Sequence, residues 1–141
     1  MPIQSQGKDA VGGIRVLLAD DHRHVLESMI SLLSDEFEIV AAVENGQDAV
    51  NAVCGLLPDV LVLDMTVPIL NGFEVARHLT NAGSTTKIIM LTMCEDSACA
   101  SAAFGAGARG YVFKHMISVD LIPAIRAVAE GRTFTSFAVR P

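Results

Sequence analysis

The chain has 141 residues, 51% of them hydrophobic, and a formal net charge of −6, which fits one domain that buries about two thirds of its unfolded surface and leaves no room for a second. The negative balance disfavours direct nucleic-acid binding, which usually needs a basic face. No apolar stretch approaches the ~20 residues that span a bilayer, and the start, Met1 to Lys8, lacks the apolar core of a signal peptide, so the expected setting is the cytoplasm, without membrane contact.

Residues 1–13, closing on Gly12-Gly13, read as a flexible leader. Beyond them, short β-rich runs at 14–19, 37–43, 60–63, 87–92 and 110–113 alternate with helical patterns, the alternation that signals a parallel sheet. Several runs are almost unbroken in apolar residues, as strands covered by helices on both faces must be. The first helix is the clearest, with Val25, Leu26, Met29, Ile30 and Leu33 on one stripe; the others are expected near 47–53, 73–80, 97–104 and 119–130. Pro123 costs little if the last helix starts near Asp120, because a proline is tolerated in a first turn. Gly131 stops that helix, and residues 132–141 read as an extended tail or linker. The expected fold is α/β, five βα units around a five-stranded parallel sheet.

Two runs end in acids: Asp20-Asp21 after the first and Asp64 after the third. The carboxyl edge of such a sheet is where ligands bind. Carboxylates about 4 Å apart repel by roughly 4 kcal/mol at an effective dielectric near 20, so a shared pocket calls for a cation. Thr92 ends the fourth run and Lys114 follows the fifth. The set suits phosphoryl chemistry: a carboxylate nucleophile, acids for a divalent metal, a hydroxyl, and an ammonium that pairs with a phosphoryl oxygen.

In Leu17-Leu18-Ala19-Asp20-Asp21-His22, Asp64-Met65-Thr66-Val67-Pro68 with Asn71-Gly72, Met90-Leu91-Thr92 and Gly107-Ala108-Arg109-Gly110-Tyr111-Val112-Phe113-Lys114, residues 14–131 resemble the receiver domains of two-component response regulators. The Ala-Asp-Asp-His and Arg-Gly-Tyr-Val-Phe-Lys wording is most similar to LuxR/NarL-type members. The resemblance implies a doubly wound, flavodoxin-like (βα)5 receiver fold over 14–131, with the leader before it and an output domain of LuxR type lying outside the chain. It implies that Asp64 accepts a phosphoryl group from a histidine kinase and that Asp20, Asp21, Asp64 and the backbone carbonyl of Thr66 hold Mg²⁺ or Mn²⁺. It further implies that Thr92, Tyr111 and Lys114 bind the phosphoryl group and relay the change to the surface of the fourth helix, fifth strand and fifth helix. That surface would serve an output domain or a second copy of the chain. Such a domain is a signalling switch and not an enzyme beyond its own phosphotransfer and slow dephosphorylation.

The sequence departs from many receivers in placing His115, not a proline, after Lys114; a non-proline cis bond costs roughly 2.5–4 kcal/mol, so a trans bond is expected. Two other classes stand beside the switch. A phosphatase of the haloacid-dehalogenase type usually carries a second aspartate two residues after its nucleophile, where this chain has Thr66. A receiver-like interaction module would not take phosphate at all. Met65 is expected to pack away from the site, because neighbouring strand residues face opposite sides. Cys54, Cys94 and Cys99 lack CxxC spacing and read as reduced, packed thiols. Magnesium's preference for oxygen leaves His22 and His24 outside the ligand set, while His78 and His115 carry no partner pattern. Gly105 to Gly110 match GxGxxG, but in reversed context, ending a helix and feeding a strand, so glycine there is expected to stop the helix and allow close packing.

Overall fold

A computed structural model of the chain describes residues 13–136. The leader at 1–12 and the last tail residues, 137–141, lie outside the described part. Strands β1 (Arg15–Ala19), β2 (Glu38–Val43), β3 (Val60–Asp64), β4 (Lys87–Thr92), β5 (Gly110–Phe113) and β6 (Phe134–Thr135) alternate with helices α1 (Arg23–Leu33), α2 (Gly46–Leu56), α3 (Gly72–Asn81), α4 (Ser97–Gly105) and α5 (Ile117–Ala129). They form one sheet of order β2-β1-β3-β4-β5-β6, parallel throughout.

The alternating side chains of the strands divide the core in two. Leu17, Ala19, Leu61, Leu63, Met90 and Tyr111 face α2, α3 and α4. Val16, Leu18, Val60, Val62, Leu91 and Val112 face α1 and α5. Each fully buried Val or Leu contributes roughly 1.5–3 kcal/mol, and every residue of β3 is buried, so the register of the central strands is tightly set. Moving from β1 to β2 and then back across to β3 reverses the strand order, which opens a crevice beyond the carboxyl ends of β1 and β3.

Caps position the loops around that crevice. Asn71 accepts from the Glu74 backbone N–H while Glu74 reaches back to the Asn71 N–H, a capping box that starts α3. Gly72 donates to the Met65 carbonyl at 2.8 Å, and a Cβ there would lie 2.8 Å from Met65 Cα, so only glycine lets α3 approach the end of β3 this closely. Gly107, φ 114°, brings the chain so near Thr80 that a Cβ would collide with its hydroxyl. That glycine serves close packing as expected, although the cap of α4 itself is Ala106 in a right-handed conformation.

The end of the fold differs from expectation in two ways. Helix α5 begins at Ile117, directly after a 3₁₀ turn at Lys114–Met116, so Pro123 lies inside it. The bond it cannot donate would run to Val119, and both residues face solvent, where water can take the free carbonyl and the cost falls. The sheet also has a sixth strand: Phe134 and Thr135 pair with Gly110 and Tyr111 of β5. Two residues are too few to show a strand periodicity; the pairing is fixed instead by Ser136, whose buried hydroxyl accepts from the Phe113 N–H at 3.3 Å and donates to Asp120 at 2.7 Å. No cis peptide occurs among the described residues, so the Lys114–His115 bond is trans. No described helix is long and apolar enough to cross a membrane.

Candidate phosphoacceptor site

Strand β1 delivers Asp20 to the crevice, fully buried, its N–H held by the Val43 carbonyl at 3.0 Å. Strand β3 ends in Asp64, 1% exposed. Lys114, just after β5 and with a side chain 11% exposed, bridges the two acids, its ammonium 3.1 Å from Asp20 Oδ2 and 3.4 Å from Asp64 Oδ1. Asp21 sits at the solvent rim. Asp20 Oδ2 has no aligned hydrogen-bond donor besides this ion-pair contact, an unusual position for a buried carboxylate oxygen.

Asp64 is further held by Thr66, whose N–H donates to Oδ1 at 3.2 Å and whose hydroxyl lies 3.2–3.3 Å from both carboxylate oxygens. Burial pushes the Asp64 carboxyl above the ordinary aspartate range, and the Asp20 charge adds to that push; the Thr66 N–H and Lys114 act the other way. The site therefore favours the arrival of positive charge. Beside it, Ile69 takes φ 75° and is 73% exposed, a conformation that costs a β-branched residue of order 1–3 kcal/mol and marks the β3–α3 loop as strained.

The structure gathers Asp20, Asp21, Asp64 and Lys114 at one place, with Thr66 against Asp64. Thr92 and Tyr111 form a second, linked group. The Thr92 hydroxyl accepts from the Cys94 N–H at 2.8 Å and lies 3.5 Å from Met65 Sδ. The Tyr111 hydroxyl donates to the Cys94 carbonyl at 2.8 Å. Burial pushes the Tyr111 phenol above its ordinary pKa, making it a weaker acid, and the Thr92 hydroxyl partly offsets this. Met65 is buried in the core as expected, but its sulfur also touches the hydroxyl of Thr92.

Four side chains differ from expectation. His22 Nδ1 lies 2.8 Å from Asp20 Oδ1, 3.4 Å from Asp21 and 3.7 Å from Asp64, so it belongs to the group of Asp20, Asp21 and Asp64 whose ligand atoms all lie within 4.8 Å of one another. The His22 N–H donates to Asp20 Oδ1 at 2.8 Å, a turn that a short acid makes two residues ahead, and it folds His22 back over the acid. His24, by contrast, stays exposed. His115 has partners after all, stacking on Phe113 at 5.5 Å and lying 3.6 Å from Glu95. Finally, Cys94 and Cys99 are joined in a disulfide with Cα atoms 6.6 Å apart, which corrects the reading of all three cysteines as reduced. The chain turns between the β4–α4 loop and the first turn of α4, so a five-residue separation suffices to bring the thiols together without CxxC spacing. Cys54 alone is free and exposed.

Residues 16–126 match the model of the response regulator receiver domain. The transcriptional regulatory protein LnrK of Bacillus subtilis (strain 168) is 33% identical over 120 residues, covering 84% of this chain and 54% of that protein; the chain spans about half the length of the curated relatives it matches. A LuxR-family two-component response regulator from Aurantimonas sp. SI85-9A1 superposes with a TM-score of 0.85 at 33% identity, covering 91% of this chain and 93% of that one. The signal receiver domain of the NarL response regulator from Mycobacterium tuberculosis does so with 0.82 at 26% identity, covering 86% and 99%. With the acid crevice at the β1/β3 crossover and Lys114 set over it, these likenesses establish that the chain belongs to the response regulator receiver domain family, of the LuxR/NarL kind.

Proposed function

We propose that the chain is a phosphorylation-dependent switch in which Asp64 accepts a phosphoryl group from a histidine kinase. The observation that carries this reading is the buried Asp64 carboxylate held between Lys114 and Thr66 beside an under-partnered Asp20. A carboxylate oxygen of Asp64 attacks the phosphorus; the bond from phosphorus to the donor nitrogen breaks, and the imidazole leaves with its electron pair and takes a proton. Lys114 pairs with a phosphoryl oxygen as negative charge moves onto Asp64.

The donor set fits a hard divalent cation: clustered carboxylate oxygens, one of them buried without an aligned donor. Asp20, Asp21, Asp64 and the Thr66 carbonyl would hold Mg²⁺ or Mn²⁺, with His22 at the margin of the set. When bound, the ion supplies positive charge that neutralises the phosphoryl oxygens during transfer.

Phosphorylation adds roughly −1.5 to −2 charge and strong acceptor oxygens. Thr92 would then donate to one of them, leaving its present contacts with Met65 and Cys94, and Tyr111 would follow through the shared backbone of Cys94. The change would be read at α4, β5 and α5, by an output domain of LuxR type or by a second copy of the chain, with β6 lying along the outer edge of β5. Residues 14–131 form the (βα)5 core of the receiver, preceded by the leader; of the segment at 132–141 expected as a linker, Phe134 to Ser136 belong to the sheet edge. A cytoplasmic setting and the absence of direct DNA or membrane contact fit the net charge of −6.

The test is intact mass after incubation with acetyl phosphate, with and without Mg²⁺, alongside Asp64→Asn. A gain of one phosphoryl group that requires both the ion and Asp64 is expected. A folded protein that takes none, while a control receiver reacts, would leave a phosphate-independent interaction module.

A further inference from the structure

We propose that Cys94 and Cys99 are a reversible dithiol–disulfide pair that locks the linkage between Thr92 and Tyr111. The bridge ties the β4–α4 loop to the first turn of α4. Its first cysteine is also the residue through which both side chains are joined: the Cys94 N–H donates to Thr92 and the Cys94 carbonyl accepts from Tyr111, each at 2.8 Å. At the other end of the bridge, the Cys99 N–H donates to the Asp96 carbonyl at 3.0 Å, and Asp96 caps α4 through the Ala98 N–H at 2.9 Å. The residue whose N–H and carbonyl must shift when Thr92 or Tyr111 changes partner is thus covalently anchored to a helix. Both cysteines are half-buried, open enough for a small thiol reagent.

The chemistry needs a small-molecule disulfide of the glutathione class to close the bridge. The thiolate of one cysteine attacks that disulfide, breaking its S–S bond and releasing one thiol; the second cysteine attacks the mixed disulfide and releases the other. Two electrons pass from the cysteine pair to the reagent, and two protons leave the protein thiols and appear on the released thiols. A dithiol reductant reverses both steps. Disulfides in reducing compartments are mostly transient or redox-sensing, and this one closes on the two residues assigned to switching. The consequence for signalling rests on the phosphorylation reading above: with the bridge closed, phosphorylation of Asp64 moves Tyr111 less than with it open.

The test equilibrates the whole chain in graded glutathione buffers, maps free thiols by alkylation and mass, and follows amide hydrogen exchange at Cys94 together with Tyr111 fluorescence. Tyr111 is the single tyrosine and the chain has no tryptophan, so its emission reports this site alone. The expected result is a bridged Cys94–Cys99 peptide in oxidising buffer, two alkylated thiols at those positions in reducing buffer, Cys54 in no protein bridge throughout, and exchange at Cys94 several-fold slower in the bridged form. Cys94→Ser and Cys99→Ser should behave as the reduced protein in every buffer, and Cys54→Ser as the parent. Thiols alkylated at all glutathione ratios, or equal Cys94 exchange in both forms, would overturn the proposal. Because exchange needs no phosphate, it decides the lock even if acetyl phosphate adds no mass to either form, an outcome that would count against Asp64 instead. Where phosphate is taken up, Tyr111 emission that changes equally in the bridged and open forms would also overturn it.

Discussion

Asp64 and Asp120 are both buried aspartates, at 1% and 5% exposure, yet their surroundings are opposite in kind. Asp120 accepts from the buried Ser136 hydroxyl at 2.7 Å, and that hydroxyl in turn accepts from the Phe113 N–H, so the group closes a chain of hydrogen bonds that pins β6 to β5 and α5. Asp64 shares its crevice with a second carboxylate, Asp20, and the two depend on one ammonium for compensation. The difference separates a carboxylate used for structure from one held ready for chemistry: the first has its partners supplied by the fold, and the second is left short of positive charge.

The largest stability effect is expected where that shortage is made worse. Lys114→Ala would leave two buried carboxylates without their cation, a loss of roughly 3–5 kcal/mol for breaking a buried pair, read as a lower urea midpoint in metal-free buffer. Mg²⁺ should restore part of it, and the variant should still accept a phosphoryl group while Tyr111 emission no longer follows. Unchanged stability in the absence of metal would remove the contrast, since Asp20 and Asp64 would then need no compensation. At the structural carboxylate, Ser136→Ala should cost about 1–3 kcal/mol, the penalty for a buried acceptor left unsatisfied, with faster amide exchange at Phe113 and undiminished phosphoryl uptake. An effect on uptake comparable to that on stability would show the two regions to be coupled, not separate.

The two regions were also unequally legible. Asp20, Asp64, Thr92 and Lys114 each lie at the end of an apolar run, so their convergence on one edge follows from strand topology and needs no knowledge of side-chain packing. The motif Asn71-Gly72 likewise has a local cause, a capping box and a close helix approach. The Asp120–Ser136 bond joins residues 16 apart and has no periodic signature, and without it the two-residue β6 could not be told from tail. Pro123 suggested a late start for α5, although the exposed side of that helix tolerates the missing bond. The bridge between Cys94 and Cys99 and the fold of His22 over the acids depend on how loops turn, which spacing alone does not set.

The smallest effect sharpens the comparison by its pH dependence. The fold raises the affinity of Asp64 for a proton, so protonation favours the folded state: the associated stability is present in full below the unfolded-state pKa and is lost as pH rises through the higher folded-state pKa. At neutral pH in metal-free buffer, above the unfolded-state pKa, Asp64 therefore costs stability, and Asp64→Asn should unfold at a higher urea concentration than the parent. Thr66 and Lys114 already offset part of the burial, which is why the gain should be smaller than the loss in Lys114→Ala. On acidification the parent should rise relative to the variant until the gain has vanished, and Mg²⁺ at neutral pH should narrow it as well, because an ion that binds the carboxylate stabilises only the parent's folded state. A gain that stayed constant from neutral to acid pH would mean that the asparagine packs better for reasons unrelated to charge, and the crevice would then not be short of positive charge.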